Sequence, residues 1–114
     1  MRLKLNSLVG AVALAVGSQV TWAQETIEVR IGHVGPTSGQ IAHLGKDNEM
    51  GARMAVEELN AKGVKIGGKK AVFKLFAEDD AGDPKQGTAA AQKLVDSKVH
   101  GVVGHLNSGT SIPA

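Results

Sequence analysis

Residues 71–104 read AVFKLFAEDDAGDPKQGTAAAQKLVDSKVHGVVG, and this stretch decides the fold class. Ala71 to Ala77 alternates Val72, Lys74 and Phe76 with Ala71, Phe73 and Leu75, the period of two expected of a strand. Asp83-Pro84 then gives a helix start: the Asp83 carboxylate can accept from a first-turn N–H, and Pro84 has the fixed φ of a first helical position. Gly87, Ala90, Ala91, Leu94 and Val95 form the inner face of that helix, and the small residues among them let it lie close on a sheet. Val99 to Gly104 follows as a short, nearly uncharged strand of the kind buried on both faces. Strand, helix and strand in this order predict a parallel α/β unit with a right-handed crossover.

The residues on either side extend the same pattern. Thr26 to Val34 places Ile27, Val29 and Ile31 on one side and predicts an earlier strand. A helix is expected from about Lys46 to Ala61, with Ala52, Ala55, Val56 and Leu59 inward and Glu49, Arg53, Glu57 and Lys62 outward; Gly63 suits a left-handed stop. Gly67-Gly68 marks a tight turn before the second strand, and Gly109 to Ala114 is expected to open a third helix. The predicted fold is α/β, the start of a doubly wound parallel sheet in the order 2-1-3. Its crossovers then leave the first strand in opposite directions, and the gap between strands one and three becomes a topological switch point, where ligands bind.

Two connections flank that gap, Gly35 to Gly45 and His105 to Thr110, both rich in Gly, Ser and Thr. N–H groups and hydroxyls of the second can converge on an anion at a helix start, with Ser108 or Thr110 donating; equally, either hydroxyl can simply cap its own helix. The first connection is long for a strand-to-helix loop. Its Gly32, Gly35 and Gly39 have the wrong spacing for a dinucleotide loop, and Pro36 interrupts the tight turn required, so no nucleotide cofactor is expected.

Other chemistries find little support. Glu78, Asp79, Asp80 and Asp83 could form a Mg²⁺ or phosphoacceptor cluster, but Asp83 is explained by capping and an acidic run at a strand end reads as a solvated turn. His33, His43, His100 and His105 lack the i, i+4 pairing or Cys partners of zinc sites, so no metal is expected. No nucleophile elbow or Ser/His/Asp set is present, and no catalytic residue is assigned.

Met1 to Ala23 has the build of a cleaved secretory signal: Arg2 and Lys4, an apolar run from Leu8 to Val16, and small residues at Thr21 and Ala23. Residues 24–114 would then be the exported part. Removing Arg2 and Lys4 from 13 basic residues leaves 11 against 11 acidic ones, a neutral balance that gives no reason to expect nucleic acid or an anionic membrane surface. The chain has no cysteine, which excludes disulfides, thiolate metal sites and a lipid anchor on a cysteine. An exported, unanchored protein fits a periplasm. The sequence stops as an element begins, at Ile112-Pro113-Ala114, so a truncated chain is expected.

Gly35 to Gly45, Asn60-Ala61-Lys62-Gly63, Asp79-Asp80-Ala81-Gly82-Asp83-Pro84-Lys85-Gln86 and Gly104-His105-Leu106-Asn107-Ser108, in this order and behind an export signal, resemble the Leu/Ile/Val-binding protein family. The resemblance covers essentially all of residues 24–114. It implies a type I periplasmic-binding fold, in which two doubly wound lobes close on an amino acid, with this chain holding the start of lobe one. It also implies that Ser108 bonds the ligand α-carboxylate, that Leu106 and Asn107 line the site, and that Leu44 stands where the family often has an aromatic over the ligand side chain. Gly82 and Asn107 occupy places where some relatives have a cysteine pair. The function implied is capture without chemistry for the membrane permease of an ABC importer. A sensor of amino acids or amides on the same fold is the alternative, and an enzyme the least supported reading.

Overall fold

The computed structural model describes residues 23–114; the export segment expected over Met1 to Ala23 lies, but for its last residue, outside them. The elements in chain order are β1 (Thr26–Gly35), α1 (Ala42–Lys62), β2 (Lys65–Ile66), β3 (Lys69–Asp79), α2 (Pro84–Asp96), β4 (Gly101–Val103) and α3 (Ser108–Ser111). They form one sheet in the order β2-β3-β1-β4. β1 runs parallel to β3 from Thr26↔Lys70 to Gly35↔Asp79, and parallel to β4 from Ile31↔Gly101 to His33↔Val103. The three parallel strands therefore stand in the expected order 2-1-3. The glycine turn adds one piece: Gly67 and Gly68, at φ 56° and 78°, fold β2 back as a short antiparallel edge strand on β3.

Strand alternation separates the two faces. A Cβ at Gly32 would meet the side chain of Leu94 in α2 at 3.0 Å, whereas a Cβ at Gly35 would approach the backbone of Gly45 in α1 at 3.8 Å. Residues 32 and 35 differ in parity, so α1 and α2 cover opposite faces of the sheet. On the α2 face, Val34, Ala90 and Leu94 form the buried core, with Phe76 and Val99 packed against them.

α1 begins at Ala42, not near Lys46, and the loop after β1 shrinks to residues 36–41. Its N-cap, Ile41, makes no side-chain cap bond, so no capping signal announces this start. Gly45 reads as a loop residue by propensity, yet it is the buried residue of the helix, because a Cβ there would run into the backbone of Pro36. This contact also rotates the inward stripe to Gly45, Glu49, Ala52, Val56 and Leu59. Ala55, expected inside, is exposed, and Glu49, expected outside, is half-buried and pairs with Arg53 at 2.6 Å.

At its far end α1 protects the sheet. Beyond β2 the outer edge of β3 has no strand neighbour among the described residues, and the Asn60 amide takes that place, donating to the Phe73 carbonyl at 2.9 Å and accepting from the Phe73 N–H at 2.8 Å. The N–H of Gly63 closes the helix onto the Asn60 carbonyl from a left-handed φ of 64°.

Among the described residues the other edge is bare. β4, expected as a strand buried on both faces, has only three residues, all exposed, with Val102 and Val103 about half accessible. Val95, expected on the inner face of α2, is 66% exposed beside them, and Ile112 is 85% exposed. An open parallel edge flanked by apolar side chains invites self-association. Residues 24–114 expressed alone are expected to aggregate or remain partly unfolded; a monodisperse sample with one cooperative thermal transition would contradict this.

Candidate functional site

Because β1, β3 and β4 are parallel, the connections that follow them all emerge at the carboxyl rim of the sheet. The two loops singled out by sequence leave neighbouring strands there, and the turn between β3 and α2 lies beside them.

That turn is not a solvated acidic run. Asp79 gathers the loop after β1: its Oδ1 accepts from the N–H groups of Thr37 at 2.8 Å and Ser38 at 3.2 Å, and its Oδ2 accepts from the Ser38 hydroxyl at 2.5 Å. Oδ1 also accepts from the Ala81 N–H at 2.8 Å. Burial by itself would raise the Asp79 carboxyl, but the bonds from Ser38, Ala81 and Thr37 outweigh it and hold the group below its ordinary value. Asp80 is completely buried. Its Oδ1 accepts from the Gly82 N–H at 2.9 Å, and its Oδ2 lies 2.7 Å from Nδ1 of His105, in the loop after β4. Each carboxylate therefore serves a different rim loop, a purpose that the sequence reading missed. Asp83 does as expected and caps α2, accepting from the Gln86 N–H at 2.9 Å.

The loop after β4 is tightly held. The Asn107 carbonyl is approached by the N–H groups of Thr110 and Ser111 at 3.2 and 2.9 Å, and by both of their hydroxyls at 2.9 Å. Thr110 is fully buried against Gly87, so its hydroxyl is structural. Neither Ser108 nor Thr110 caps α3 through its side chain; Asn107 holds that position, and its buried Oδ1 has no partner among the described residues. Ser108 is exposed, and its hydroxyl makes no hydrogen bond among the described residues. Leu106 and Asn107 are half-buried next to it, while Leu44 stands in the first turn of α1 with 42% of its surface exposed.

A cavity of about 310 Å³ lies on the α2 face of the sheet, between Leu94, Val95 and Val102, and reaches Gly104, His105 and Ser111 of the loop after β4. None of Leu44, Leu106, Asn107 and Ser108 lines it. Its apolar walls continue the exposed surface of Val95 and Val102. His33 is buried on the α1 face, its Nδ1 without a partner among the described residues, and burial pushes its imidazole below the ordinary value.

The molecule thus combines a doubly wound topology with a switch point after β1 and two rim loops fixed by adjacent carboxylates. The profile of the periplasmic binding protein family matches residues 28–113. The chain belongs to this family. A Leu/Ile/Val-binding protein, BraC3, of Rhizobium johnstonii is 44% identical over 86 residues, covering 75% of this chain and 23% of that protein. The Leu/Ile/Val-binding protein of Escherichia coli is 39% identical over 107 residues, covering 94% of this chain and 27% of that protein. Among solved structures, the branched-chain amino acid transporter substrate binding protein LivJ of Streptococcus pneumoniae, in complex with isoleucine, superposes with a TM-score of 0.69 at 32% identity, over 77% of this chain and 25% of that one. The chain thus spans about a quarter of the length of these family members.

The Asp79 bonds generate a prediction. In the complete protein, Asp79→Ala is expected to lower stability at neutral pH by about 1–3 kcal/mol, the usual worth of hydrogen bonds to a charged group. A carboxyl held low when folded contributes stability that is complete above its unfolded value and is lost as pH falls through the folded one. The gap between wild type and variant should therefore close as denaturant titrations move below pH 3.8, the ordinary Asp value, and a constant gap would refute the assignment.

Proposed function

We propose that the complete protein is the periplasmic solute-binding component of an ABC importer, capturing a branched-chain or related amino acid without chemical change. The observation that carries this reading is the Ser108 hydroxyl, exposed at the carboxyl rim beside the gap between β1 and β4, and not engaged within the described residues. A ligand carboxylate there would accept from this hydroxyl and from the N–H groups of Ser108 and Gly109, which open α3 and have no acceptor among the described residues. With α3 only four residues long, its dipole adds little and the hydroxyl carries most of the weight.

The remaining contacts follow from position. Leu106 and Asn107 adjoin Ser108 and would line the same subsite, and Leu44 would offer an apolar wall from α1. Leu44 lacks the area of an aromatic ring, which leaves more room over the ligand side chain. The groups that complete the carboxylate site and balance the ligand ammonium would come from the rest of the protein, as expected of a chain spanning a quarter of its relatives. Two lobes closing on the bound amino acid would hide it from water, and the membrane permease would recognise the closed form. The isoleucine in the Streptococcus pneumoniae complex and the Leu/Ile/Val-binding relatives support this ligand class. Residues 1–23, read as an export signal, support delivery to the periplasm. The Leu/Ile/Val-binding relatives and the isoleucine-bound structure favour binding over catalysis.

A thermal-shift screen of the complete protein against the amino acids is expected to respond most to leucine, isoleucine or valine. Titration calorimetry with the responding ligand should show that Ser108→Ala weakens binding by roughly 1–3 kcal/mol, the worth of a lost bond to a charged group. Unchanged affinity would remove Ser108 from the site.

A further inference from the structure

Asp80 and His105 are the most buried ionisable pair on the rim, and ligand contact as described makes no use of either. The side chain of Asp80 is 0% exposed and that of His105 is 6% exposed. Every polar group of Asp80 is engaged. Its N–H donates to the Gly35 carbonyl at 3.0 Å, its carbonyl accepts from the Asp83 N–H at 2.8 Å, and Oδ1 accepts from the Gly82 N–H at 2.9 Å. Asp80 thus has no freedom to follow a moving partner. Its remaining oxygen lies 2.7 Å from Nδ1 of His105, and since a carboxylate oxygen accepts, Nδ1 carries the hydrogen.

His105 stands three residues before Ser108. The backbone between them is held at its far side by the Asn107 carbonyl, which takes the N–H groups of Thr110 and Ser111. Before it, Gly104 sits at φ 124° against the Val34 backbone, where no side chain would fit. The side chain that ties this loop to the neighbouring turn is His105.

We propose that Asp80 and His105 are the positioning pair of the ligand loop: their buried hydrogen bond fixes how residues 104–108 leave β4, and so where the Ser108 hydroxyl points. The inference rests on the reading that Ser108 meets the ligand carboxylate, and its test separates the two.

The variants His105→Leu, His105→Asn, Ser108→Ala and the double variant His105→Leu/Ser108→Ala are made in the complete protein. Asparagine can place an N–H where Nδ1 stands; leucine cannot. Hydrogen exchange of residues 104–112 is measured without ligand, and affinity for L-leucine, L-isoleucine and L-valine is measured by calorimetry. His105→Leu is expected to speed exchange in that segment and to weaken binding by roughly ten-fold or more, as for loss of a bond to a charged group. His105→Asn should restore both. In the Ser108→Ala background, His105→Leu should cost little further affinity, because its effect runs through Ser108. Should His105→Leu fail to fold, His105→Gln, whose amide is displaced from the Nδ1 position, takes its place in each comparison. Unchanged exchange in the leucine variant, failure of asparagine to restore, or a full penalty on top of Ser108→Ala overturns the positioning role. Unchanged affinity in Ser108→Ala alone overturns the ligand reading instead.

Discussion

The rim depends on two adjacent carboxylates at the end of β3. In a parallel sheet the loops after neighbouring strands crowd together at one edge, and their N–H groups have left the ladder without entering a helix. Asp79 and Asp80 supply acceptors at this point. Chain alternation sends consecutive side chains apart, and here one carboxylate gathers Thr37 and Ser38 after β1 while the other meets His105 after β4. The Asp80 N–H to the Gly35 carbonyl continues the β1–β3 pairing one step past the strands, so the carboxylates are held by the ladder itself. A buried charge is costly without partners, and Asp80 offsets that cost by engaging every acceptor it has.

How much of this could be read from the sequence follows the distance over which each interaction acts. Asp83 bonds a residue three positions on, within the reach of a local rule, and was legible as a cap. Asp79 bonds residues 41 and 42 positions away and Asp80 reaches 25 positions, so a local rule sees only an acidic run and reads it as solvated. Gly45 failed for the same reason: its helix requires a glycine only because Pro36 lies against it in space. The order 2-1-3 was legible because crossover handedness and element sequence constrain it without knowledge of contacts. Ser108 was offered together with Thr110 by its place in a loop at the switch point, and the choice between them, with Asn107, Leu106 and Leu44, came from family resemblance; no periodicity would have selected them.

The charges that are visible to sequence reading contribute least. Glu28 sits 2.6 Å from Arg30 and 2.8 Å from Lys74 on the α2 face of the sheet, beyond the helix, and all three remain substantially exposed. Water screens pairs of this kind, and they contribute little to stability. The strength of the structure lies instead where apolar packing and satisfied backbone coincide: Leu94 against Gly32 and Val34 under the rim, and Asn60 along the edge of β3. Both support the strands from which the rim loops leave.

On the proposal that Ser108 meets a ligand carboxylate, this arrangement lets a single hydroxyl contribute to recognition. A serine on a free loop must lose rotational and backbone freedom when it meets a ligand, and that loss offsets much of the bond it makes. Here the loop after β4 is ordered before any ligand arrives, by four donors on the Asn107 carbonyl, by buried Thr110 and by His105 on Asp80. The ordering cost falls on folding, where the packing of α2 and β1 offsets it. Ser108 then stands exposed, and unengaged among the described residues, on a loop already held by its neighbours, the condition under which one added hydrogen bond contributes most to affinity.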